Sequence, residues 1–99
     1  MKAILKKSTN PKKKYMVILY DGDKKIKTIH FGATGYQDYT THKDDERKKR
    51  YIKRHRAREN HNNYKTAGFW ALHILWNKKT IASSIKDIKK NYNINITKK

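Results

Sequence analysis

Five histidines (His30, His42, His55, His61 and His73) and the run Asp44, Asp45, Glu46 are the side chains of this sequence suited to moving a proton or holding a metal ion. His42 stands two residues before Asp44 in "HFGATGYQDYTTHKD", His30 to Asp44, which mixes glycines, rings, hydroxyls, imidazoles and carboxylates. Imidazole and carboxylate at that separation suit acid–base work or a shared cation. The wider spacing argues against both. His55 and His61 are six apart and share no helical face, and no strand carries a His pair. His73 lies in an apolar run, where a hydrogen-bonded core histidine is the usual outcome. Asp44, Asp45 and Glu46 read better as charges at a helix start. There is no Gly-rich phosphate loop, nucleophile elbow or paired-acid signature, and no cysteine for a thiolate site or disulfide. The reading is non-enzymatic, with no catalytic residue, no metal and no cofactor expected.

Charge points elsewhere. The 99 residues carry 26 Lys and Arg against 8 Asp and Glu, a formal net charge of +18. Such a chain repels itself and seeks a polyanion. Arg47, Lys48, Lys49, Arg50, Lys53, Arg54, Arg56 and Arg58 crowd one segment, and Lys12, Lys13 and Lys14 form a second run. Each Lys or Arg that neutralises a phosphate releases condensed counterion; with about six phosphates engaged, log K falls with log salt at a slope of roughly −5. Sequence-specific readout is a weaker reading. It would take the last two helices as a helix-turn-helix offering Ser83, Ser84, Lys86 and Lys89, and an ordinary αα-hairpin explains them better. Tyr36 and Tyr39, in a loop, are the rings best placed to stack on unpaired bases; core or corner packing is the plainer use.

The elements that must position these groups follow from periodicity. Residues 1–14 read as a basic flexible arm broken by Asn10 and Pro11. "YMVILY", Tyr15 to Tyr20, reads as a buried strand, "DGDK" as a turn, and "KIKTIHF" as an alternating strand with Ile29 and Phe31 inward. The register is open: a four-residue loop pairing Leu19 with Ile26 and Met16 with Ile29 packs better than a two-residue loop. Thr41 to Asn60 reads as a helix capped by Thr41, with a thin apolar stripe of Tyr51, Ile52 and His55. Thr66 to Trp76 is apolar on all sides and belongs mid-core, with Phe69, Leu72, His73 and Trp76 on one side. Thr80 caps a last helix reaching Tyr92, with a stripe of Ile81, Ile85, Ile88 and Tyr92. "NINIT", Asn93 to Thr97, alternates as a short edge strand. The fold expected is α+β: a single domain over 15–92, with an N-terminal β-hairpin, a basic helix and two packed helices, and a C-terminal tail over 93–99.

The blocks Lys27 to Gly32, Gly35 to Thr40, His42 to Asp44, Tyr51 to His55, Ala67 to Phe69 and Leu75 to Lys78 resemble a family of small basic proteins of large nucleocytoplasmic DNA viruses of protists and algae. The likeness spans roughly residues 15 to 90; Lys79 departs from it, where proline is expected before the last helix. The family's function is unknown. The resemblance therefore implies a viral source and a compact hairpin-plus-helices fold, and it supplies no catalytic residues.

Together these features imply a largely sequence-independent binder of nucleic acid, DNA rather than RNA, that condenses or packages a viral genome inside the virion or the viral factory. A minor capsid component meeting acidic virion proteins is the alternative. A small metal-dependent nuclease using His42, Asp44 or His55 ranks third. No stretch is long and apolar enough to cross a bilayer, and the N-terminus lacks a signal-peptide core, so neither a membrane partner nor secretion is expected.

Overall fold

The computed structural model of the chain describes residues 1–56 and 63–99. Among them, four strands form one sheet: β1 (Lys2–Lys7), β2 (Lys13–Asp21), β3 (Lys24–Ala33) and β4 (Asn95–Lys98). The order is β3-β2-β1-β4, antiparallel except for β4, which lies parallel to β1. The helices are α1 (Tyr39–His42), α2 (Asp45–Arg56), α3 (Ala67–Trp70) and α4 (Ile81–Tyr92). A π-helical turn, Ala71–Leu75, prolongs α3. The α+β reading holds.

The N-terminal segment is a correction. Residues 2–7 are not an arm but an interior strand, with Ala3 and Leu5 buried opposite Leu19 and Val17. The sequence already alternates there, Ala3 and Leu5 inward and Lys2 and Lys6 outward, and the surrounding lysines mask it. The following turn is tied down as well: the Thr34 N–H donates to Lys12 O (3.1 Å) and the Thr34 hydroxyl to Pro11 O (2.7 Å). The short edge strand expected over Asn93 to Thr97 is present as β4, parallel to β1 at the sheet edge, and the C-terminal tail is held there by the buried Ile94.

The β2–β3 hairpin closes through the two-residue loop Gly22-Asp23, with Leu19 opposite Lys27 and Met16 opposite His30. The loop is two residues shorter than the favoured four, and the pairing of Leu19 and Met16 is shifted by one residue. A bulge between Leu19 and Tyr20 absorbs Ile26 and keeps Ile29 facing the core, opposite Val17.

One sheet face (Ala3, Leu5, Val17, Leu19, Ile29, Phe31) packs against Phe69, Trp70, Ile74, Leu75, Ile88 and Ile94. The helix that is apolar on every side does sit inside this core. Its buried pairs, Phe69–Trp70 and Ile74–Leu75, are five residues apart, the period of a π turn rather than an α-helix. Leu72, His73 and Trp76, which α-helical spacing would bury with Phe69, are only half-buried. The Trp70 indole N–H donates to Tyr64 O (2.7 Å), which satisfies its one polar atom in the core. Thr66 and Thr80 cap α3 and α4 through Phe69 N–H and Ser83 N–H. Ile88 is buried on α4, with Ile81, Ile85 and Tyr92 packed around it.

Candidate nucleic-acid interface

Two short helices replace the single helix expected from Thr41. Asp38 caps α1, accepting from Thr40 N–H (3.0 Å) and the Thr40 hydroxyl (2.5 Å). Lys43, at φ 56°, ends it in the left-handed region. Asp44 then caps α2, its Oδ1 accepting from the N–H groups of Glu46 (3.0 Å) and Arg47 (3.4 Å). Thr41 sits inside α1 and caps nothing. Asp45 and Glu46 occupy the first turn of α2, as charges favoured by the helix dipole.

The thin stripe of α2 meets the body through rings. Tyr51 lies flat on Trp76, with centroids 4.2 Å apart and planes at 1°, and the His55 ring also lies 4.2 Å from it, tilted by 30°. His42 packs on Trp76 at 5.3 Å. Lys48 reaches inward: its Nζ donates to Asn77 O (2.6 Å) and sits 4.9 Å from the Tyr39 ring centre. Burial, then the nearby Lys78 charge, holds the Lys48 ammonium below its usual pKa. Tyr39 is buried, and its hydroxyl donates to Asp45 Oδ1 at 2.5 Å. That bond raises the phenol pKa and lowers that of Asp45. Tyr39 is thus a corner pin, not a stacking platform. Tyr36 is the reverse, 74% exposed rather than packed against the core.

His42 is structural in its observed contacts. Its Nδ1 accepts from Asp44 N–H (2.9 Å), which puts the proton of the neutral ring on Nε2. Nε2 is buried and has no partner among the described residues. Burial first, and the Arg47 charge second, lower its pKa from 6.5. His30 pairs with the Ser8 hydroxyl (2.7 Å), and His73 lies against Phe69 and Tyr92. Among the described residues no three His, Asp or Glu side chains converge; His61 lies outside them. Of the helix-turn-helix readers, Ser84 is fully buried and accepts from Lys78 N–H, and the exposed Ser83 hydroxyl is bonded to Thr80; Lys86 and Lys89 are exposed.

The cations fall into distinct groups. Lys49, Arg50, Lys53 and Arg54 are exposed on α2, with no carboxylate partner among the described residues. Arg47 is half-buried, and its guanidinium donates to Gln37 Oε1 (3.0 Å). Arg58 and the side chain of Arg56 lie outside the described residues. Lys48 is turned to the interior. Lys14 is spent on Asp38, 2.7 Å away, whereas Lys12 and Lys13 are exposed at the start of β2.

Arg47 and Arg54 also border a groove of about 350 Å³ between α2 and the β3–α1 corner, together with Lys14, Tyr36, Tyr51 and Trp76. A second depression shares Arg47, Arg54 and Trp76 and adds Arg50 and Lys53. A third hollow, which Lys14 also lines, collects Lys7, Lys13, Lys98 and Lys99. Lys14 is common to the first and third of these hollows, and Arg47, Arg54 and Trp76 to the first and second. Sequence reasoning found the α2 cations and ranked Tyr36 among the best-placed rings; it did not find the groove that sets Trp76 beside them.

A family model matches residues 3–55, just over half the chain, from β1 into α2. The chain belongs to DUF5754, a family of unknown function. The matched segment takes in β1, which the expected span from residue 15 left out, and stops before the Ala67–Lys78 motifs. No curated protein and no solved structure matched the chain. In this DUF5754 protein, the matched segment holds the outer wall of the groove, Lys14, Tyr36, Arg47, Tyr51 and Arg54, and the unmatched remainder contributes Trp76.

Proposed function

We propose that the chain is a non-enzymatic, largely sequence-independent DNA-binding protein that helps condense or package the genome of a large DNA virus, in the virion interior or the viral factory. The observation that carries this reading is the set of exposed cations on α2 with no carboxylate partner among the described residues: Lys49, Arg50, Lys53 and Arg54. On a chain of net charge +18, those side chains are held by a helix that buries little of its own surface. They form a surface for phosphates, which position a protein on nucleic acid without specifying sequence. No helix among the described residues is long and apolar enough to cross a membrane.

Filter binding to duplex DNA across a salt series tests it. Four phosphates on these cations give a log K against log salt slope of about −3.6, or roughly a 150-fold loss of affinity between about 50 and 200 mM salt. Replacing all four by Gln should flatten that slope. A flat slope in the unaltered protein, or no binding near physiological salt, refutes the proposal. Co-fractionation with the genome after particle disruption tests the viral setting.

A further inference from the structure

We infer that the groove between α2 and the β3–α1 corner takes an unpaired nucleobase, so that the protein grips single strands in preference to duplex. This rests on the nucleic-acid reading above and deepens it. Phosphate contacts alone cannot produce such a preference, because duplex is the denser polyanion. The groove adds what duplex cannot use. Its about 350 Å³ falls in the range of small-ligand sites, roughly 300–1,000 Å³. Tyr36 stands at its rim, 74% exposed and with no ring partner among the described residues, so its face is open to a base. Tyr51 and Trp76, locked flat against each other at 4.2 Å, make a stiff wall that costs little ordering when a base arrives. Arg47 and Arg54 border both this groove and the neighbouring depression with Arg50 and Lys53. A strand whose phosphates follow those cations therefore passes the groove mouth with its bases on the aromatic side. In a duplex the bases are paired, stacked and out of reach.

Fluorescence anisotropy with an oligothymidine and an oligouridine of about eight nucleotides, and with a duplex of equal phosphate number, at one fixed salt concentration, decides it. At least one single strand should bind more tightly than the duplex, and the ratio of the two assigns DNA or RNA. Tyr36→Ala should weaken single-strand binding roughly 5- to 140-fold, the span that loss of one base–aromatic stack covers, and leave duplex binding unchanged. Tyr36→Phe should restore it, and Arg54→Gln should weaken both. Single-strand binding should also quench tryptophan emission through Trp76, since Trp70 is fully buried. If Tyr36→Ala leaves single-strand affinity intact, or weakens both ligands alike, the inference is overturned while salt-dependent duplex binding keeps the charge reading standing. If neither ligand binds, both fall.

Discussion

Gly32 in β3 offers the sharpest test of how the corner is built. Its φ is +79°, and an added Cβ would lie 2.7 Å from Leu75 Cδ1 and 3.3 Å from Lys14 Cβ. Leu75 is 2% exposed, so its methyl must push into packed neighbours or into the groove. Gly35 has a similar backbone, φ +86°, but nothing within 4 Å of the built Cβ. Gly→Ala at either position places a side chain in the left-handed region, costing about 1–2 kcal/mol, and reduces unfolded-state entropy, returning about 0.4–1 kcal/mol. Gly35→Ala should therefore destabilise by about 1 kcal/mol. Gly32→Ala carries in addition an overpacking cost of about 1–3 kcal/mol, so about 3 kcal/mol in all. For a chain of this length that lowers the melting temperature by roughly 12–24 °C and still leaves a folded protein. Urea unfolding of both variants, followed by tryptophan fluorescence, measures the difference. Two variants within about 0.5 kcal/mol of each other would refute the close approach of Leu75 and Lys14 to Gly32.

Other outcomes follow from single contacts. Lys48→Met should cost about 1–2 kcal/mol in thermal unfolding, through loss of its bond to Asn77 O, while leaving the DNA salt slope unchanged; a lowered slope would place Lys48 on the phosphate face instead. Asp38→Ala removes the α1 cap and the partner of Lys14, and a loss of about 2–3 kcal/mol is expected by denaturant titration, with solvent around Lys14 limiting the pair's share. His42, whose folded pKa lies below 6.5, resists a proton that the unfolded chain accepts. Its contribution to stability is complete above about pH 6.5 and is lost as pH falls from there through the folded pKa. An NMR titration should show its ring protonating below 6.5, and His42→Gln should flatten the acid limb of the stability curve; a midpoint at or above 6.5 would be the contrary result.

Local signals were legible where the physics is local. The β2–β3 hairpin, the Thr80 cap and the Ile81–Tyr92 stripe each depend on residues within a turn or two of one another, and each of these elements forms in the segment its pattern marks. The acidic start of α2 does too, although the cap moved from Thr41 to Asp44, because the buried carboxylate of Asp38 claims Thr40 and starts a separate turn. β1 was hidden because its alternation is short and framed by lysines, and only pairing with β2 and β4 rewards it. The hairpin register depended on a bulge that exchanges one residue of loop for inward placement of Ile29.

The sequence by itself determined the polyelectrolyte character of this protein, since charge is carried by composition and needs no fold to be counted. It also determined which segment holds the densest cations and which helix must be buried. Tertiary structure decided which of those charges face outward. It turned Lys48 inward to Asn77, spent Lys14 on Asp38, and left Lys49, Arg50, Lys53 and Arg54 exposed. It also set Trp76 against Tyr51, because a π turn shifts the apolar phase of its helix by one residue and leaves that ring half out of the core. Tyr36 and Trp76 are 40 residues apart in the chain, and only packing α2 and the β3–α1 corner around the same space makes them walls of one groove.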